Sequence, residues 1–218
     1  MRRALSITTV MILLAGCAAP QHEDAWRYQS AAATKAYGEH FLKDERVQIE
    51  SNYSQAERTA KQSADLIPLA RLYLSQCALN TAVLVDDPCS EFDRISDLHD
   101  DSEMKAYYAM LRGTLSSEQV RDLPSRYRSF ARAYIEKEAE KIRRAVDGIT
   151  PLRSRLVAAS LVRHYLTDAQ LDALISEASH VGYRRAVIAW MRFQMETTTD
   201  SDKKLLLERK LELLTKTR

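Results

Sequence analysis

The chain predicts an all-α fold, a single domain of antiparallel helical hairpins arranged as an α-solenoid or a bundle. Three observations carry this. Of five glycines in 218 residues, four fall after residue 16, and Gly113, Gly148 and Gly182 stand where helices would end. Ala, Leu, Arg, Glu, Lys and Gln, all good helix formers, dominate from Trp26 onward. No convincing run of alternating β-branched residues lies between turn signals; Thr81-Ala-Val-Leu-Val85 is the nearest, inside a helical context.

Apolar periodicity and turn residues predict helices near 24–48, 54–64, 66–85, 102–112, 117–122, 124–147, 150–166, 168–181, 183–197 and 201–216. Asp86-Asp87-Pro88 turns the chain after the third. Thr150-Pro151 predicts an N-cap followed by proline at the first helical position. Thr167-Asp168 and Asp200-Ser201-Asp202 supply capping oxygens and early negative charge. From 150 onward four helices are joined by links of a few residues, which makes neighbours antiparallel. The helical domain spans residues 26–218, with a sub-boundary near 113–117.

The N-terminus has a charged start, Arg2 and Arg3, and an apolar stretch over 4–14. About a dozen residues is too short for a membrane span, which needs about 20. Leu14-Ala15-Gly16-Cys17 follows directly and resembles the lipobox of bacterial lipoproteins. The resemblance implies that residues 1–16 are a signal peptide and that Cys17 becomes the acylated first residue. Several acyl chains then tie the protein stably to a membrane of the cell envelope. Ala18 after that cysteine implies the outer membrane, facing the periplasm. Residues 17–25 form a polar tether of at most ~30 Å, which keeps the body near the membrane surface.

Of 32 Lys and Arg, Arg2 and Arg3 leave with the signal, so basic and acidic groups balance at 30 each. A neutral, exported chain argues against a nucleic-acid partner. Lipidation of Cys17 leaves Cys77 and Cys89 in an oxidising compartment. Cys77 lies about two turns (~12 Å) before the expected end of its helix, and the chain returning from the Pro88 turn covers a similar distance. These two cysteines form either a disulfide or two separately buried thiols.

Motifs for catalysis and cofactors are missing. There is no phosphate loop, dinucleotide fingerprint, nucleophile elbow, zinc helix or Cys-x-x-Cys pair. His22, His40, His99, His164 and His180 never fall at ligand spacing. Ser102–Lys105 and Ser201–Lys204 match Ser-x-x-Lys without its partner motifs, as helix-start serines ahead of solvated lysines. No catalytic residue, metal or cofactor is assigned.

One polar residue falls on an apolar face. Tyr127, Ala131, Tyr134, Ile142 and Ala145 form a stripe on the 124–147 helix, with Glu138 in its middle. A carboxylate there needs a partner or a proton. Arg163 shares a face with Leu152, Leu156 and Ala159 on the next helix, so Glu138 and Arg163 are expected to pair inside the bundle. That pair either fixes helix register or places a general acid in a cleft.

Charge is segregated. Residues 86–103 carry eight acids against Arg94 alone, and residues 121–163 carry eleven Lys and Arg against five acids. Compensation between the two halves, lipid headgroups or an acidic partner would each use this. Leu205, Leu206, Leu207, Leu211, Leu213 and Leu214 give the last helix a broad apolar surface, which closes the bundle if buried and docks a partner if exposed. Tyr53, Ala56, Ala60, Ser63 and Pro68 resemble the second helix of a tetratricopeptide repeat, over about 16 residues; no second copy follows 34 residues on. The leading expectation is a membrane-anchored, non-catalytic helical scaffold for another envelope protein. The alternatives are an envelope enzyme with Glu138 as its acid, and a binder of a small amphiphile between helices.

Overall fold

Residues 25–216 are described by the computed structural model, and among them the backbone forms α-helices and short 3-10 turns with no strand. The all-α, hairpin-built expectation holds. Helix α1 (Ala25–Lys43) and α2 (Arg46–Ala60) form the first hairpin. Their antiparallel register is set by the Ser30 hydroxyl, which donates to the Ala56 carbonyl at 3.4 Å, and by the Tyr37 and Tyr53 rings, 5.3 Å apart edge to face. Ala56 and Ala60, from the repeat-like segment, are buried against this pair.

A single helix over 24–48 was expected, and the chain instead reverses at Asp44, whose φ is +66°. Aspartate tolerates the left-handed region better than most residues. Its carboxylate is also engaged from far along the chain, by Arg185 Nε at 2.8 Å and by Arg184.

Helix α3 (Ile67–Ala82) is mostly apolar, and Arg71 is its one exposed residue. Leu69, Ala70, Leu72, Tyr73, Leu74, Cys77, Ala78, Leu79 and Ala82 are buried around its whole circumference, as a central helix requires. α1 and α2 pack on it, and so do α4 (Ser90–Asp93), α5 (Ser102–Leu111) and α8 (Leu152–Leu161). At Gly38 on α1 a Cβ would make ordinary contact with Leu79 of α3 at 3.7 Å and be tight, at 3.1 Å, against the end of the Arg153 side chain of α8.

Between α5 and α8 lie a 3-10 turn at Glu118–Asp122, α6 (Ser125–Glu136) and α7 (Ala139–Asp147). The expected helix 124–147 is thus two helices, broken at Lys137, whose φ is +56°. At the start of α8 the N-cap is Pro151 itself rather than Thr150. Helix α8 ends at Leu161, and a separate 3-10 turn covers Arg163–Tyr165.

Three helices complete the chain: α9 (Asp168–His180), α10 (Arg184–Thr197) and α11 (Ser201–Thr215). Their starts follow the sequence. Thr167 and Gln170 make a capping box, and Asp200 accepts from the N–H groups of Asp202 and Lys203. One buried cluster runs from Ala33 to Trp190 and includes Leu111, Val120 and Leu123, so it continues across residues 113–117.

Helix α10 fastens the end of the chain to its beginning. The Trp190 indole N–H donates to the Ala82 carbonyl at 3.0 Å, and the Tyr183 hydroxyl donates to the Glu39 carboxylate at 3.0 Å. Burial works to raise the Asp44 carboxyl, but the hydrogen bond and charge of Arg185, with Arg184 beside it, outweigh that and hold it below its usual range. Stability from this ionised group is therefore present above the ordinary aspartate value of 3.8 and lost as pH falls below it through the lower folded value. Asp44→Asn is expected to cost about 1 kcal/mol at neutral pH, with partial exposure already discounted, or roughly 2–4 °C in Tm. The difference from the parent should shrink in melts repeated below pH 3.8.

Candidate functional site

Cys17 lies outside the described residues. Cys77 and Cys89 are joined in a disulfide, with Cα atoms 5.2 Å apart. Helix α3 ends at Ala82, so Cys77 is little more than one turn from its end, and the returning chain needs less reach than expected. Asp87 shapes the return: its carboxylate accepts from the Cys89 N–H at 2.7 Å and from the Asn80 amide at 2.6 Å. Both sulfurs are buried, and the bond staples the short helix α4 to the central one. A loop of this length stabilises by about 3 kcal/mol. Replacing both cysteines with serine should lower Tm by roughly 6–12 °C in a calorimetric scan.

The expected buried pair of Glu138 and Arg163 does not form. Lys137 ends α6 in the left-handed region, so residues 127–134 and 142–145 belong to different helices and their apolar stripe does not pass through residue 138. Glu138 takes the N-cap position of α7, with its side chain 49% exposed and paired to Lys141 Nζ at 2.8 Å. Arg163 lies in the 3-10 turn after α8, where its guanidinium donates to the Ser160 carbonyl and lies over the Phe193 ring. An exposed, ion-paired carboxylate is not in the desolvated setting that a general acid needs. Glu138→Gln should leave the melting temperature within about 1–2 °C of the parent.

Two surfaces carry more. The first is a groove of about 740 Å³ formed by α9, α10 and α11. Ile175, Val187, Met191, Leu207, Leu213 and Leu214 supply its apolar walls, with Ser176, Ser179, His180 and Lys210 at its edge. Leu207 and Leu211 are buried, whereas Leu205, Leu206, Leu213 and Leu214 are exposed. Both readings of the last helix therefore apply, each to a different face. Lys203 clamps α11 to α9 by pairing with Asp172 at 3.0 Å and Asp168 at 3.4 Å. The fully buried Gln194 donates to Asp172 at 2.8 Å, while its Oε1 has no partner among the described residues.

The second is a cleft of about 430 Å³ enclosed by α1, α3, α5, α6 and α8. Leu74, Ala78, Met104 and Val157 form its apolar wall, and Tyr107, Tyr127 and Ser154 its polar floor. Burial pushes both tyrosines above their ordinary range, so each hydroxyl keeps its proton. Lys35, Arg71, Arg126 and Arg153 line the cleft against one acid, Glu103. Only the basic stretch 121–163 foreshadowed this. Lys35 and Arg71 come from α1 and α3, and no local spacing signals that the four converge.

The acidic and basic stretches do not neutralise one another: among the described residues no ion pair joins 86–103 to 121–163. Among the same residues no helix is long and apolar enough to cross a membrane. Comparison with family models, curated proteins and solved structures returns no match.

Proposed function

We propose that the protein is a lipid-anchored, non-catalytic helical adaptor that holds an amphipathic helix of another envelope protein in the α9–α11 groove. The observation that carries this is the face of α11. Leu206, Lys210, Leu213 and Leu214 fall at i, i+4, i+7 and i+8, so they share one stripe, and three of the four also line the groove. An apolar trough walled by three helices, with polar side chains at its edge, suits recognition of a helix by its apolar face. The lipobox resemblance at Cys17 supports the membrane attachment, and the short tether keeps the groove within reach of membrane-bound partners.

Leu206 and Leu213 are 52% and 77% exposed, so changing them should disturb folding little. With a photo-crosslinking amino acid at Leu213, intact envelopes are expected to yield one stoichiometric protein adduct. The same protein carrying Leu206→Asp should lose that adduct while its melting temperature stays within about 2 °C. Folded protein that yields no adduct, or an adduct indifferent to Leu206→Asp, would overturn the reading. Cys17→Ser should move the protein from the membrane to the soluble fraction.

A further inference from the structure

We propose that the cleft between α1, α3, α5, α6 and α8 binds an amphipathic organic anion, a carboxylate or phosphate on an apolar body. It is distinct from the docking groove and does not depend on it. The argument begins with protons. Tyr107 and Tyr127 place their hydroxyls 3.4 Å apart, and the Ser154 side chain lines the cleft with them. The two phenols bring two protons to the one hydrogen bond between them, so one phenolic O–H is left to donate. All three side chains line the cleft, which makes a ligand oxygen the natural acceptor.

The charges sit beside those hydroxyls. Arg126 and Arg153 both act electrostatically on Tyr107 and on Tyr127. Arg153 is partly occupied by Glu39 at 3.5 Å, while Arg126, Arg71 and Lys35 form no ion pair among the described residues. Four cations against Glu103 favour a negative group at the polar end. Away from it, Leu74, Ala78, Met104 and Val157 offer an apolar wall for the body of the ligand. The volume falls in the range of small-molecule sites, about 300–1,000 Å³, with convergent polar groups in a mainly apolar lining.

Isothermal titration of the purified full chain tests this with four probes: decanoate, decyl phosphate, decanol and inorganic phosphate. One or both of the alkyl anions should bind, and the preferred one identifies the headgroup. Decanol and inorganic phosphate should each bind at least about tenfold more weakly, since each lacks one half of the recognition. Arg126→Ala and Tyr127→Phe should each weaken the anion by about three- to tenfold. Arg132→Ala, on the same helix but outside the cleft, should leave it unchanged. Because Tyr127 is buried and its variant risks misfolding, Arg71→Ala, at an exposed position, provides an independent third test. The proposal is overturned if neither alkyl anion binds or if decanol or inorganic phosphate matches them. It is equally overturned if Arg71→Ala and Arg126→Ala, both folded by circular dichroism, bind as the parent does.

Discussion

Helix α3 carries buried apolar residues around its circumference, and most of the structure is arranged to cover it. An isolated helix with leucine, tyrosine and alanine around its whole circumference would expose apolar surface on every side, at a cost of about 25 cal/mol per Å². The hairpin of α1 and α2 covers part of it, α8 another part, and α4 and α5 a third, leaving the Arg71 side facing the cleft. Small residues at Ala70, Ala78 and Ala82 allow those neighbours to approach closely. The C-terminal end of α3 is then fixed twice: by the disulfide from Cys77 and by the Trp190 indole on the Ala82 carbonyl. That second bond spans 108 residues and ties α10 to the centre of the molecule.

Polar groups carry the organisation outward from this core. Glu39 on α1 accepts from Tyr183 and pairs with Arg153, so one carboxylate joins α1, α8 and the start of α10. Burial, reinforced by the bond to Glu39, pushes the Tyr183 hydroxyl up to about 12, which keeps it a donor at any physiological pH. Arg184 extends the network, reaching Asp44 at the α1–α2 reversal and the Leu214 carbonyl near the end of α11 at 2.7 Å. The cleft and the groove are thus attached to one frame. Arg153 is both a cleft cation and a member of the network that seats α10.

What was legible in the sequence is what local chemistry determines. The starts of α9 and α11 follow from Thr167, Gln170 and Asp200, and the helix ends near Gly113, Gly148 and Gly182 follow from residues that leave the helix at little cost. The left-handed breaks at Asp44 and Lys137 have distant or absent local signals. Asp44 turns left-handed where Arg184 and Arg185, 140 residues away, receive its carboxylate. Lys137 does so without glycine or a neighbouring proline, and this one residue undoes the inference about Glu138. Periodicity assumes an unbroken helix, so a stripe read through residue 137 put a solvated carboxylate in the core. The cleft was illegible for a different reason: its cations come from α1, α3, α6 and α8, and only the fold brings them together.

The exposed leucines of α11 are not the frayed end of a loosely held helix. Lys203 pairs with Asp168 and Asp172, Asp200 caps the first turn, and Arg184 holds a carbonyl in the last. Leu207 and Leu211 already supply the apolar contact with α10 that such a helix needs. Folding therefore accounts for the position of α11 without Leu206 or Leu213; both remain exposed, and Leu213 lines the trough together with Val187 and Met191. A helix fixed by polar clamps can keep an apolar stripe exposed without sliding to bury it. That arrangement holds the stripe in a constant geometry, as recognition of a second helix requires.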